Sequence, residues 1–184
     1  IAAGMKVIGL DATHVAAGAA GRNGGFLLAG PAWFHHDARE RVGRELAAVM
    51  YRCTLDQLER MRERPGVRCS GSLRIAADEA EHADIDAHHD ALLEDGFAVA
   101  RYVGSEGRGI LVESDGLFDP FAYCQAQAAH SEKHGAQLFE GSRVIGFAEG
   151  LVRCAEGEVR APRVLLAVDG GLTALVPELK TRVT

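Results

Sequence analysis

The chain has 184 residues, a length that makes one domain or pieces of two. With 47% hydrophobic and 25% charged residues it has the composition of an ordinary globular protein, which excludes a disordered chain. A formal net charge of −6 speaks against nucleic-acid and anionic-membrane partners, because phosphate binding calls for clustered Lys and Arg.

Residues 1–4 (Ile-Ala-Ala-Gly) read as the last turn of a helix closed by a glycine C-cap, and residues 5–11 as a strand that ends in Asp11. A carboxylate at the end of a parallel strand can take the two hydroxyls of a ribose, as the acid about 20 residues beyond a Rossmann glycine fingerprint does. Asp11 is the candidate for that role; a helix N-cap or a solvated strand end is its plainer reading. The run after it, Ala12 to Gly25, is rich in Gly and Ala. Its backbone is expected to approach a planar or phosphorylated ligand without Cβ collisions, with N–H groups free to donate. A flexible turn is the alternative for Gly21, Arg22, Asn23, Gly24 and Gly25, since Asn-Gly is a common turn signal.

Phe26-Leu-Leu28 is a short apolar segment, and helix is expected over residues 37–63, where Val42, Leu46, Val49, Met50, Cys53, Leu58 and Met61 recur at three to four residue spacing. Thr54-Leu-Asp-Gln57 reads as a capping box that restarts a second helix there, and Pro65-Gly66 as its end. Arginines between 60 and 68 are interleaved with Glu59 and Glu63, the pattern of a solvated helix face. A strand at 73–76 precedes an acidic, solvent-exposed helix at 78–94 closed by Gly96, followed by strands at 97–103 and 110–113. Asp119-Pro120 supplies an N-cap acid and a first-turn proline for a helix closed by Gly135.

Residues 136–147 then read as a strand around Val144-Ile145, and 151–154 with 158–160 as a hairpin turning at Glu156-Gly157. Val164-Leu-Leu-Ala-Val168 is a continuous apolar run suited to a strand buried on both faces. It leads into Asp169-Gly-Gly171 and a helix start, a geometry that aims backbone N–H groups at an anion.

Four cysteines, at 53, 69, 124 and 154, show no C-x-x-C spacing and are expected to be reduced, mostly buried thiols. There is no apolar run near about 18 residues and no charged-then-apolar leader, so a cytoplasmic chain without a membrane partner is expected. His82, Asp86 and His89 fall on one helical face, and His130 and His134 on another. The residues between His130 and His134 do not fit a zincin pattern, a histidine ahead of a helix-ending glycine is favoured by the helix dipole, and the acidic helix around His82 reads as solvent-exposed, so no metal is expected.

The segment Gly18-Ala-Ala-Gly-Arg-Asn-Gly-Gly25-Phe resembles the G-A-S-G-R-N-G-G stretch of FAD-dependent oxidoreductases of the D-amino-acid oxidase superfamily, glycine and sarcosine oxidases and γ-glutamylputrescine oxidase among them. Gly71-Ser-Leu-Arg-Ile-Ala76, Asp115-Gly-Leu-Phe-Asp-Pro120 and Val159-Arg-Ala-Pro-Arg-Val-Leu-Leu-Ala-Val-Asp-Gly170 follow in the order of that family, so the resemblance spans essentially the whole chain. It implies that Asp11 and Ala12, then Gly21, Arg22, Asn23, Gly24 and Gly25, then Val144, Ala167, Asp169 and Gly170 bind FAD. Arg22, Asn23 and Gly24 would lie near the pyrophosphate and the pyrimidine edge of the flavin. Ala20 departs from the pattern, standing where many relatives carry a serine hydroxyl.

The implied fold is α/β: an incomplete FAD-binding Rossmann-type domain at 1–67 and 117–184, interrupted by an α+β substrate-domain segment at 68–116. The implied reaction is oxidation of a C–N single bond in a small amine or amino acid, with hydride passing to the flavin. The sequence identifies no catalytic acid–base pair. The G-x-G-x-x-G fingerprint cannot fit into residues 1–10, so the chain reads as a fragment that by itself neither retains FAD nor oxidises amines. Its unpaired apolar strands are expected to give a homodimer or poor solubility. The alternative is a non-catalytic remnant, or a split subunit that lends part of a nucleotide site to a partner chain.

Overall fold

The computed structural model describes residues 4–64 and 66–181. Residues 1–3 of the expected helix turn at 1–4, and the terminator Pro65, lie outside them. In chain order the elements are β1 (Ile8–Leu10), β2 (Phe26–Leu27), α1 (His35–Val42), α2 (Arg44–Arg62), β3 (Ser72–Ile75), α3 (Glu79–Glu94), β4 (Ala100–Gly104) and β5 (Gly107–Val112). Then come β6 (Gly116–Leu117), α4 (Pro120–Lys133), β7 (Gln137–Phe139), β8 (Val144–Ala148), β9 (Leu151–Cys154), β10 (Gly157–Arg160) and α5 (Leu172–Leu175). The fold is mixed α/β, and the chain forms two compact units, Ile1–Arg22 with Cys124–Thr184, and Asn23–Tyr123.

In the first unit β1 pairs in parallel with β7, Ile8 opposite Gln137, while β8, β9 and β10 form an antiparallel meander. The expected single strand over 136–147 is therefore two, β7 and β8, which belong to different sheets. Gly141, at φ +62°, lies in the turn between them, and Gly141 N donates to Thr13 O while Ser142 N donates to Asp11 O. The β9–β10 hairpin forms as expected, Gly157 opposite Cys154.

The run 164–168 is not a strand. A parallel strand exists only through ladder bonds to neighbours, and none of the described strands pairs with it. Leu165 is 90% exposed and Val164 and Val168 about two-fifths exposed, the reverse of the burial that the apolar run suggests. The anion-directed helix after it is also absent in that form: Asp169–Gly171 is a 3-10 turn, and α5 has only four residues.

In the second unit the antiparallel sheet β3–β5–β4 packs on α3 through Ile85, Ile110 and Val112, with Phe34, Ala76 and Val99 around them. A second cluster joins Ala48 and Tyr51 of α2 to Leu92 and Phe97. Each fully buried Ile or Leu here is worth roughly 2 kcal/mol of apolar transfer. The helix at 78–94 begins as expected, Asp78 accepting from Glu81 N, and Gly96 follows its end at φ +79°. It is not the solvent-exposed helix that its acidic composition suggested, since Ile85, His88, His89, Ala91 and Leu92 are buried.

The helix expected over 37–63 breaks at Gly43 rather than at Thr54. At φ +85° Gly43 closes α1 through Gly43 N to Arg39 O and opens α2 by accepting from Ala47 N. Thr54 does not cap a helix; its hydroxyl donates back to Tyr51 O at 2.7 Å and accepts from Gly30 N at 2.7 Å, so α2 runs through it. The strand expected at 97–103 starts only at Ala100, and it forms a hairpin with β5 through Gly104 and Gly107.

Candidate functional site

The carboxyl end of β1 delivers Asp11 into the glycine- and alanine-rich loop. Asp11 N donates to Phe139 O at 2.9 Å, extending the parallel ladder by one residue. Asp11 Oδ1 accepts from Thr13 N at 2.7 Å and from Thr13 Oγ1 at 3.1 Å, an Asx turn that redirects the chain out of the strand. Asp11 Oδ2 accepts no hydrogen bond among the described residues. One carboxylate oxygen thus shapes the turn and the other remains available.

The loop is held against the rest of its unit. Glu140 accepts from Val15 N at 2.8 Å, Gln125 of α4 donates to Val15 O at 2.9 Å, and Gln125 thereby ties the helix to the loop. Gly21 packs on Ala16, and a Cβ at position 21 would collide with Ala16 O. Ala16 itself adopts φ +68°, a left-handed conformation uncommon for a residue with a Cβ.

The expectation that the loop's N–H groups are all free is corrected here. The N–H groups of Thr13, Val15, Ala17, Gly21, Arg22 and Gly25 are bonded to Asp11, Glu140, His14 O, Gly18 O, Ala19 O and Asn23 Oδ1 respectively. A tight loop that folds on itself spends its donors internally. Those of Ala12 and Gly18 take no partner among the described residues, and a Cβ at Gly18 would meet nothing within 4 Å. Arg22 forms no ion pair among the described residues and lies exposed.

In the second unit, Asn23 Oδ1 accepts from Gly25 N at 2.9 Å and closes a turn in which Gly25 adopts φ +67°. A Cβ there would collide with Phe118 O, and Phe118 N donates to Gly25 O at 2.8 Å. Glycine at 25 is therefore required twice, by conformation and by close approach. Gly24 packs on the Phe26 ring, which is itself 72% exposed and so presents an apolar face beside the turn.

Of the remaining expected residues, Val144 opens β8 and is half-buried, and Ala167, Asp169 and Gly170 lie exposed. Asp169 adopts φ +45°. No hydrogen bond among the described residues joins the 167–170 segment to the loop at 11–22. His82, Asp86 and His89 do not converge: they pair with Glu79, Arg101 and Asp90. His130 and His134 stack with ring centroids 4.2 Å apart, His134 Nδ1 on His130 O. No group of three or more His, Cys, Asp or Glu among the described residues is placed to hold a metal ion.

A buried polar cluster that sequence reasoning missed lies in the second unit. Asp95, whose side chain is 4% exposed, accepts from His35 Nε2 at 2.7 Å, Arg39 Nε at 2.9 Å and Arg44 Nε at 2.6 Å. Burial pushes this carboxyl up, but the hydrogen bonds from Arg39, His35 and Arg44 outweigh it and hold it well below the usual carboxylate range. Arg39 and Arg44 also donate to Ala91 O and Glu94 O, satisfying the carbonyls at the end of α3, which has no basic residue in its own last turn. His88 Nδ1 accepts from His35 N at 2.8 Å, and burial, reinforced by Arg74, lowers its pKa to about 3. Asp95 and His35 lie inside and Arg44 lies exposed at the rim, and the cluster latches α1 and the start of α2 onto the end of α3.

The family described as "FAD dependent oxidoreductase" matches residues 1–184. Among solved structures, glycine oxidase from Geobacillus kaustophilus superposes with a TM-score of 0.74 at 20% identity, over 95% of this chain and 51% of that one. L-proline dehydrogenase from P. horikoshii gives 0.69 at 15% identity, over 92% of this chain and 54% of that one. L-amino acid deaminase from Proteus vulgaris gives 0.67 at 14% identity, over 90% and 42%. These likenesses concern the fold, and the chain spans about half the length of the structures it matches. No curated protein sequence matches it.

Proposed function

The chain belongs to the family of FAD dependent oxidoreductases, and from that premise we propose that it serves the oxidation of a C–N single bond in a small amine or amino acid. The observation that carries this reading is Asp11 at the end of β1, with one carboxylate oxygen uncommitted, leading into a glycine-rich loop. The neighbours named for glycine, L-proline and L-amino acids support the substrate class. FAD, when bound, supplies the two-electron acceptor.

The donor set fits the cofactor. Asp11 Oδ2 would take the ribose hydroxyls, with Ala12 N–H beside it, the exposed Arg22 side chain would serve the pyrophosphate, and Gly21, whose N–H is spent on Gly18 O, would serve only by close approach. Asn23 and Gly24 would lie near the pyrimidine edge of the flavin, Gly25, with its N–H and O both bonded, would hold the turn that carries them, and Val144, Ala167, Asp169 and Gly170 complete the set in our reading. Residues 1–67 and 117–184 are then the flavin-binding, Rossmann-type portions, and 68–116 the substrate-side segment. No described residue is assigned as catalytic acid or base.

The first unit also carries exposed apolar side chains at Met5, Ile8, Phe139 and Leu165, and among the described residues no strand pairs with the second edge of β1. This favours a second reading, in which that edge pairs with another chain, a second copy included. Among the described residues no helix is long and apolar enough to cross a membrane. The four cysteines are unpaired thiols, exposed at 53 and 69 and half-buried at 124 and 154 rather than mostly buried as expected, and unpaired thiols suit the reducing cytoplasm we propose.

The test is anaerobic mixing of the FAD-loaded full-length protein that carries this sequence with glycine, sarcosine, L-proline and a polyamine derivative. Bleaching of the flavin visible band by at least one is the expected result. A flavin that stays oxidised with every amine and amino acid tried overturns the proposed reaction.

A further inference from the structure

We propose that Asp115 is a positioning residue, whose buried carboxylate holds the flavin-side turn and its strand β2 to the sheet β3–β5–β4. This rests on the reading of Asn23–Gly25 as the flavin-side turn. Asp115 is 4% exposed and has no cationic partner among the described residues, an environment that disfavours a carboxylate unless hydrogen bonds replace its water. Those bonds reach two separate elements. Asp115 Oδ1 accepts from Ala29 N at 2.8 Å, just beyond β2, and Oδ2 accepts from Ser72 Oγ at 2.6 Å, the first residue of β3. The main-chain oxygen of Asp115 accepts from Gly71 N at 3.0 Å.

The residues around it are shaped for this clasp. Gly71 adopts φ +70°, and Gly116 lies so close to Arg68 that a Cβ would collide with its carbonyl oxygen. Residues 115–118 hold the flavin-side segment along its length. Phe118 N donates to Gly25 O, Leu117 pairs with Phe26, Gly116 pairs with Leu27, and Asp115 takes Ala29 N. A two-residue ribbon is too short to keep its own register. The Asp115 carboxylate supplies what the ribbon lacks, and links it to the sheet of the segment 68–116.

Backbone hydrogen exchange on the 184-residue chain tests this, with Asp115→Ala, Asp115→Asn and Ser72→Ala. Asp115→Ala is expected to speed exchange at Ala29 by about tenfold or more, the loss of a hydrogen bond to a charged group, while Ala91 and Leu92 in α3 stay within about threefold. Asp115→Asn restores most of the protection, because the amide oxygen still accepts from Ala29 N and the Ser72 hydroxyl reverses to accept from the amide nitrogen. If Asp115→Ala does not fold, the other two decide: Ser72→Ala is expected to loosen Ala29 severalfold while Asp115→Asn does not. Unchanged exchange at Ala29 in these variants overturns the proposal, as does a uniform rise that includes α3, which marks a merely structural residue. A failure of the flavin reading shows separately, as full-length wild-type protein that quenches no FAD fluorescence while the exchange pattern of the 184-residue chain keeps its expected form.

Discussion

Stability should fall as pH drops from 6.5 towards 3, and His88 should carry much of that fall. Its Nδ1 must hold a lone pair, because it accepts His35 N at 2.8 Å. Protonation would place a donor against a donor and a charge near Arg74, His35, His36 and His89. Burial is the first cause of the depressed pKa, about 3 against an ordinary 6.5, and the positive neighbours add to it. The unfolded chain therefore takes up this proton first: the contribution is fully present above about pH 6.5 and is lost progressively as pH falls towards 3. At about 1.4 kcal/mol per pH unit, a fall from 6.5 to 5 costs roughly 2 kcal/mol from this group alone. His88→Asn keeps an acceptor near the Nδ1 position and removes the titration. Urea unfolding at pH 7.5 and pH 5.0 should show wild type losing about 2 kcal/mol more than His88→Asn between the two. Equal losses in both proteins would refute the burial argument.

Two further substitutions probe the second unit. Asp95→Asn removes the charge that pairs with His35, Arg39 and Arg44, and should cost about 3 kcal/mol or more at pH 7, read by urea unfolding. Because the Asp95 carboxyl lies well below its ordinary 3.8 in the folded protein, wild type keeps this contribution above that pH and loses it as pH falls further, whereas Asp95→Asn lacks that part of the acid loss. Gly25→Ala meets both a φ of +67° and Phe118 O, and should lower stability by about 2 kcal/mol or more with a reduced thermal midpoint. An unchanged midpoint would show that the turn relaxes freely.

Signals that act within a few residues were legible in the sequence. Asp78 caps α3, Asp119 accepts from Ala122 N ahead of Pro120, and Gly96 and Gly135 take positive φ just past their helices. Thr54 misled because the same hydroxyl that can cap a helix can also bond back to Tyr51 O, and Gly30, 24 residues away, makes the second choice worthwhile. The run at 164–168 has the composition of a buried strand, yet composition supplies no partner. The latch of His35 on Asp95 spans 60 residues and the clasp of Asp115 on Ala29 spans 86, so neither leaves a local pattern. The Asp11 loop was legible as a glycine-rich turn after a strand. Its internal use of N–H donors was not, since it depends on how Ala16, Gly21 and Glu140 meet.

The central claim is that Asp11 binds the cofactor rather than only shaping its turn, and Asp11→Asn separates the two roles. The amide oxygen can still accept from Thr13 N, so the Asx turn survives, while the charge offered to the ribose hydroxyls is lost. Hydrogen bonds to a charged group are worth about 1.5–3 kcal/mol each, so the FAD dissociation constant of the full-length protein, measured by fluorescence titration, should rise tenfold or more with the thermal midpoint of the apoprotein unchanged. Equal dissociation constants for wild type and Asp11→Asn would contradict the account and leave Asp11 a structural turn residue.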